Sequence, residues 1–271
     1  MKKAIKFWGT RGSCAVSGPE YLHYGGNTTC VEVRYDDALL VIDAGTGIRP
    51  LGITLAKEKK IDLFLTHMHW DHLIGLPFFD PLFLEGVEIT IWAPRGPFRS
   101  CKELLADMLS PEFFPVDLGH MRSQIEFKTL EERKPFKIGP LTLECHATRH
   151  PGLTYCFKII TPHETIGYVS DNEINLEAQE SFINFHRGCD IFVHEAQYSP
   201  KEYVHKTGWG HSSINETIAL VKEIRPKKWL VTHHDPKHTD NDLKTLEKIA
   251  SESAIPCPAI WIPDMYELKL M

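Results

Sequence analysis

The chain has 271 residues, 42% of them apolar and 24% charged, with a formal net charge of −6. That balance describes a soluble globular protein with room for a sizeable core. It lacks the bulk basic character that would argue for a long nucleic-acid footprint. No run approaches the ~20 apolar residues that a membrane span requires.

The seven cysteines are scattered, with no CxxC pair, which fits reduced thiols in a cytosol better than a disulfide framework. Met1-Lys2-Lys3 leads directly into a short apolar strand, not a secretory h-region. A soluble cytoplasmic protein of one domain, residues 1–271, is expected.

Taken in order, Ala4–Trp8 alternates as an opening strand closed by Gly9-Thr10-Arg11-Gly12. The loop ending in Tyr24-Gly25-Gly26-Asn27-Thr28-Thr29 has glycines that permit either close approach to a ligand or tight turns. Val31–Arg34 and Ala38–Ile42 form a hairpin around Asp36-Asp37. A helix follows Asp43-Ala44-Gly45-Thr46-Gly47 and runs to Lys60, with Ile48, Leu51 and Leu55 on one face. Ile61–Leu65 is a buried strand, and Leu73–Phe79 is short and apolar.

Val87–Trp92 reads as strand and Phe98–Leu109 as helix, followed by the aromatic loop Ser110–Pro115. Strands are expected at Ile125–Phe127, Leu141–Cys145, Tyr155–Ile160, Thr165–Val169 and Asp190–Val193, with residues 175–187 helical. Ser213-Ile214-Asn215-Glu216 fits a capping box opening a helix over 213–225, which Pro226 stops. Lys228–Thr232 returns to strand, Asp240–Ser251 is helix, and Ala259–Ile262 and Tyr266–Leu270 are terminal strands.

The chemistry concentrates in Thr66-His67-Met68-His69-Trp70-Asp71-His72, directly after a buried strand. Imidazole and carboxylate are ligands for zinc-like metals, and a strand end holds them rigidly with coordination positions open. His67 and His69, two apart on extended backbone, point the same way and share one ion. Asp71 and His72 fall on the turn, placed for a second.

Four other apolar runs end alike: Leu39–Ile42 in Asp43, Thr165–Val169 in Ser170-Asp171, Ile191–Val193 in His194-Glu195, and Trp229–Thr232 in His233-His234. Strands that repeatedly deliver polar groups at their C-terminal ends assemble a site along one edge of a layered α/β protein. His150, on a turn, adds another imidazole.

His67-x-His69-x-Asp71-His72, then His150, Asp171 and His233 in that order, resembles the ligand series of the metallo-β-lactamase-fold hydrolases. The resemblance implies an α/β fold, a four-layer αββα sandwich with a binuclear metal site at the sheet edges. It implies two divalent ions, Zn2+ or Mn2+. His67, His69 and His150 would hold one and Asp71, His72 and His233 the other, with Asp171 bridging and Asp43 buttressing the ligands from behind. A water activated between the ions would be the nucleophile.

His194-Glu195-Ala196-Gln197 and Gly210-His211-Ser212-Ser213 are similar to paired motifs of the phosphodiesterase branch, which includes tRNA 3′-end endonucleases and cyclic-nucleotide phosphodiesterases. There the carboxylate orients the imidazole that protonates the leaving oxygen, which casts Glu195 and His211 as catalytic beside Asp71. A structural hydrogen bond between them is the plainer alternative. His194 is expected to pack behind the ligands, and His234 to be a bystander.

Phe7–Ser13, Gly25–Thr28 and Thr232–Pro236 resemble a bacterial subgroup of uncharacterised or cyclic-nucleotide phosphodiesterase-like members. No Gly/Pro/Lys-rich insertion of the kind that grips tRNA is found, so a small or cyclic phosphodiester is expected, with RNA second. A possible homodimer fits the aromatic loop and sheet edges. Asn27, Phe113 and Phe114 are candidate substrate contacts. A glyoxalase II-type thioesterase shares the ligand set but would want a longer C-terminal segment, and a metal-retaining sensor is the non-enzymatic alternative.

Overall fold

The structure, a computed structural model, describes residues 2–96 and 98–271. The first half of the chain runs β1 (Lys3–Gly9), β2 (Cys30–Tyr35), β3 (Ala38–Ile42), α1 (Ile48–Thr54), β4 (Lys60–Phe64), β5 (Glu88–Pro94), α2 (Cys101–Met108) and β6 (Gln124–Leu130). The second runs β7 (Phe136–Ile138), β8 (Leu141–Ala147), β9 (Tyr155–Ile160), β10 (Thr165–Tyr168), α3 (Glu180–His186) and β11 (Ile191–Glu195). It continues through α4 (Pro200–Tyr203), α5 (Ile214–Ile224), β12 (Lys228–Thr232), α6 (Asp240–Ser251), β13 (Ala259–Trp261) and β14 (Glu267–Lys269).

The strands form two seven-stranded sheets, ordered β14-β1-β2-β3-β4-β5-β6 and β13-β12-β11-β10-β9-β8-β7. The side-chain alternation of a strand explains how they stack. In β3, Leu40 and Ile42 turn inward with Phe7 and Val33 to meet Leu143, Phe157, Val193 and Leu230 of the other sheet. Leu39 and Val41 turn outward onto Ile48 and Leu51 of α1, in the cluster that Leu105 of α2 also joins. On the second sheet Phe192, Trp229 and Val231 pack under Phe182 of α3, Val221 of α5 and Leu243 of α6. The result is the expected four-layer αββα sandwich.

Each sheet mixes antiparallel pairs with a parallel run, β3-β4-β5-β6 in one and β10-β11-β12-β13 in the other. Crossover connections leave the C-terminal ends of such strands free for a ligand site. The sheets are pinned to each other near that edge by Tyr155 N donating to Thr66 O (3.0 Å) and by the hydroxyls of Thr29 and Tyr168 (3.2 Å).

Several element boundaries differ from expectation for local reasons. The helix expected to reach Lys60 stops at Thr54. Gly52 packs its bare face against Phe79, Ile53 and Thr54 are β-branched, and Lys60 is drawn into β4 opposite Glu88. In the segment expected to be helical over 175–187, residues 175–179 instead turn. Asn175 N donates to Gln179 Oε1 (2.8 Å) and Ala178 N to Asn175 Oδ1 (3.1 Å), so side chains take the bonds a helix would use. Helix α2 begins only after Ser100, which forms a reciprocal capping box with Glu103. β7 and α4 were not anticipated, and α6 has the expected limits. All seven cysteines are free thiols.

Candidate metal centre

Behind β4, Asp43 organises the cluster. It is fully buried at the end of β3 in the left-handed region (φ 62°), a conformation that costs a non-glycine residue roughly 1–3 kcal/mol. Its Oδ1 accepts from Thr66 N (2.8 Å) and Thr66 Oγ1 (2.9 Å), and its Oδ2 lies 2.9 Å from His72 Nδ1. Thr66 Oγ1 also lies 3.0 Å from His67 Nδ1. With their Nδ1 atoms engaged, His67 and His72 turn their Nε2 atoms toward the site.

The other elements converge there. His67, His69 and His150 bring one ring nitrogen each within 4.8 Å of one another, as do the donor atoms of Asp71, His72 and His233, and Asp171 joins His67 and His72 at the same spacing. His150 Nε2 lies 3.1 Å from His69 Nδ1. His72 Nε2 and His233 Nε2 each lie 3.3 Å from Asp71 Oδ2, and 3.3 Å from Asp171 Oδ2 and Oδ1 respectively. His233, too, sits in left-handed backbone (φ 56°). Two polar residues held in sparsely populated conformations at neighbouring strand ends mark a site where geometry outranks stability.

Whether these residues fit metal ions is decided by their unmatched atoms. His67 Nε2, His72 Nε2, His233 Nε2 and Asp171 Oδ2 are buried and have no hydrogen-bond partner. Such atoms are costly alone, and here they face one another. The ionisation pattern agrees. Burial alone would raise Asp71 and Asp171, yet the imidazoles of His72 and His233 hold both carboxylates well below their usual range. Burial would lower His72, but Asp71, Asp43 and Asp171 push it well above the usual imidazole value. His67, His69 and His150 are lowered chiefly by burial, which keeps them neutral and ligand-competent. Three neutral imidazoles, two anionic carboxylates and a His72 that holds a proton where a cation would stand make a donor set for divalent ions, which would displace that proton on binding.

Beside the cluster, His211 Nδ1 lies 3.1 Å from Glu195 Oε1 and 3.7 Å from Asp171 Oδ1. Glu195 is fully buried and accepts from Asn172 N (2.9 Å). Burial pushes the Glu195 carboxyl up and the His211 imidazole down. Both shifts favour neutral partners, so the pair holds one proton without burying a full ion pair.

The loop carrying His211 is clamped from below. Glu173 accepts from Gly208 N (2.9 Å to each oxygen) and from Gly210 N (3.0 Å). The Gly210 carbonyl in turn accepts from His150 Nδ1 (2.9 Å). Gly210 has φ 89°, and a Cβ there would stand 2.2 Å from the His150 ring, so only glycine fits.

The remaining candidates are placed as follows. His194 is buried, its Nδ1 2.7 Å from Glu195 O, and burial lowers it to about 4. His234 lies outside the cluster, Nε2 3.0 Å from Ile262 O. Asn27 spends both ends of its amide internally, donating to Asp264 Oδ2 (3.1 Å) and accepting from Thr46 Oγ1 (3.2 Å), and so fastens its loop. Phe113 is exposed, and Phe114 packs edge-on to Phe78 at 5.6 Å. Sequence reading passed over Thr66, Glu173 and Ser13, whose backbone N donates to Asp71 Oδ2 (2.7 Å). The first two stand within the Thr66–His72 and Ser170-Asp171-Asn172-Glu173 runs, and their polarity at strand ends was the available signal.

Two sheets sandwiched between helices, with this His/Asp cluster at the strand ends, define a metallo-β-lactamase-fold protein with a site fitted to divalent metal ions. The chain belongs to the beta-lactamase superfamily, whose domain model matches residues 39–234. Ribonuclease Z of Staphylococcus aureus is 21% identical over 266 residues, covering 79% of this chain and 84% of the relative. The metallo-beta-lactamase fold protein YhfI from Bacillus subtilis superposes with a TM-score of 0.76 at 18% identity, covering 99% of this chain and 100% of that one. A diphosphatase from the PhnP family superposes at 0.73 with 16% identity, covering 100% and 98%.

Proposed function

We propose that this protein is a metal-dependent hydrolase of phosphodiester bonds, acting on a small or cyclic nucleotide-like substrate. The observation that carries the reading is the Glu195–His211 pair, set 3.1 Å apart against the ligand cluster. His67, His69 and His150 would hold one ion and Asp71, His72 and His233 the other, with Asp171 shared. When bound, two such ions clamp a phosphoryl oxygen and make water a nucleophile at neutral pH. Zinc is the first candidate for so imidazole-rich a set, and manganese the second.

The chain's own residues supply the rest. With Nδ1 held by Glu195, His211 has Nε2 available to donate a proton to the departing alkoxide. As His211 Nε2 gives up its proton, the proton that Glu195 shares with Nδ1 passes to Nδ1, so the ring stays neutral and the charge ends on the Glu195 carboxylate. Asp43 keeps a proton on His72 Nδ1, so that Nε2 faces the site. Strands from both halves share one buried core, which supports treating residues 1–271 as a single folding unit. No helix among the described residues is long and apolar enough to cross a membrane.

A second reading, cleavage of RNA ends, is favoured by the ribonuclease Z relative. A turnover panel separates the two: bis-p-nitrophenyl phosphate, 2′,3′- and 3′,5′-cyclic nucleotides, cyclic dinucleotides, a tRNA precursor and a glutathione thioester, with and without added zinc or manganese. Metal-dependent hydrolysis of the small diesters, with weak salt dependence, is expected. Preference for the precursor with a steep fall of affinity in salt would favour RNA. Hydrolysis of the thioester alone would overturn both.

A further inference from the structure

A cavity of about 570 Å³ opens beside the metal-ligand cluster, walled by Met68, Trp70, Ile74, Phe78, Met108 and Phe113 among others. Asp107 is the one charged residue lining it, and among the described residues no lysine, arginine or histidine does. Trp70, Phe78 and Phe113 are 77%, 52% and 79% exposed. Large apolar side chains left this open around a concavity of ligand size mark a binding surface.

Its place relative to the chemistry is set by the chain. Trp70 stands between His69 and Asp71, so wall and ligands belong to one loop. The ring of His150 stands 5.0 Å from that of His69 and 5.0 Å from that of His211, centroid to centroid. His150 thus touches both the proton donor and the loop that carries Trp70. A phosphodiester held at the cluster with its leaving oxygen toward His211 has its other ester substituent free to reach the wall that Trp70 contributes from the same loop as His69 and Asp71.

We propose that this cavity is the subsite for the ester substituent that stays on phosphorus, and that it takes an uncharged alkyl or aryl group. The proposal rests on the phosphodiesterase reading. Water oxygen bonds to phosphorus and releases one proton, the bond from phosphorus to the leaving oxygen breaks, and that oxygen takes the His211 proton, which the proton released by water replaces. The retained P–O–R bond is untouched, so the products are an alcohol and an R-phosphate monoester. No cation lines the walls among the described residues, and Asp107 is already paired with Arg99 (2.6 Å), so selection is by apolar area.

The test is a series of p-nitrophenyl alkyl phosphates, methyl to hexyl, on the metal-replete protein. The leaving group is constant, and kcat/KM is expected to rise roughly three- to fourfold per added methylene. The slope should flatten in Phe78→Asp and Phe113→Asp. A flat slope in the parent, with the methyl ester still hydrolysed, overturns the subsite and spares the hydrolase. If no ester is hydrolysed, the hydrolase reading falls, and the subsite is judged by binding alone. Hexyl phosphate should then quench tryptophan fluorescence at concentrations at least tenfold below methyl phosphate, with the difference lost in Trp70→Phe. Equal affinities overturn it. So does a solution dimer in which Trp70 is shielded from acrylamide, since a second copy would then occupy the cavity.

Discussion

Asp43→Asn is the most informative single substitution, because it exchanges one carboxylate oxygen for an amide NH2 at nearly constant volume. In the native site Oδ2 faces His72 Nδ1 at 2.9 Å, so Nδ1 keeps a proton and Nε2 is the nitrogen that a metal would take. The amide of asparagine, with its oxygen still on Thr66 N, points N–H groups at Nδ1 and favours the opposite tautomer. Loss of such a partner costs roughly 10–100-fold in metal affinity, or about 1.4–2.8 kcal/mol. Asp43→Ala does more, because Thr66 N and Thr66 Oγ1 lose an acceptor they reach at 2.8 and 2.9 Å. Each buried orphan donor adds about 1–3 kcal/mol to the loss of folding stability. Competition against a fluorescent zinc chelator reads the affinity and urea unfolding of the metal-free protein reads the stability. Asparagine should weaken metal binding while largely sparing apo stability, and alanine should damage both. Zinc affinity within twofold of the parent in Asp43→Asn would refute the tautomer reasoning.

Other outcomes are expected from the same geometry. His211→Ala should cost about 10²–10⁴ in turnover of substrates with alkoxide leaving groups while metal content holds; a loss of only a few-fold makes its bond to Glu195 structural. Glu173→Gln should displace the 208–211 loop and cost about 10–100-fold with alkoxide leaving groups. The loss should be smaller for p-nitrophenolate, which departs without a proton, and equal losses would argue for general unfolding of the site. Burial holds His194 at about 4 and His234 at about 3, well below the ordinary 6.5. The unfolded chain therefore takes up protons that the native state refuses. Their stabilisation is complete above about pH 6.5 and is lost as the pH falls toward those lower values. A thermal midpoint of the metal-free protein that does not drop between pH 6.5 and 4 would contradict their burial as neutral rings.

The ligand series was legible because its signal is local and chemical. His67, His69, Asp71 and His72 occupy six residues, and Asp171 and His233 each follow an apolar run that could only be a buried strand. Strand periodicity and helix capping likewise act over a few residues, which is why α6 and the β2–β3 hairpin matched expectation. Where a neighbour distant in sequence competes, local reading failed. Lys60 left the helix for a partner in β5, and Asn175 and Gln179 diverted a helical turn with their side chains.

By itself, then, the order of residues determined the layered α/β class and singled out the histidines and aspartates that gather at one edge, together with the Glu195–His211 pair. Only the tertiary structure decided what stands behind and beside them. Thr66 donating to Asp43, Glu173 clamping Gly210, Asn27 consumed by its own loop, and a largely apolar cavity sharing the Trp70 loop all depend on contacts between segments far apart in the chain. Hydrogen-bond partners and cavity walls are properties of distance in space, and no spacing along a strand encodes them.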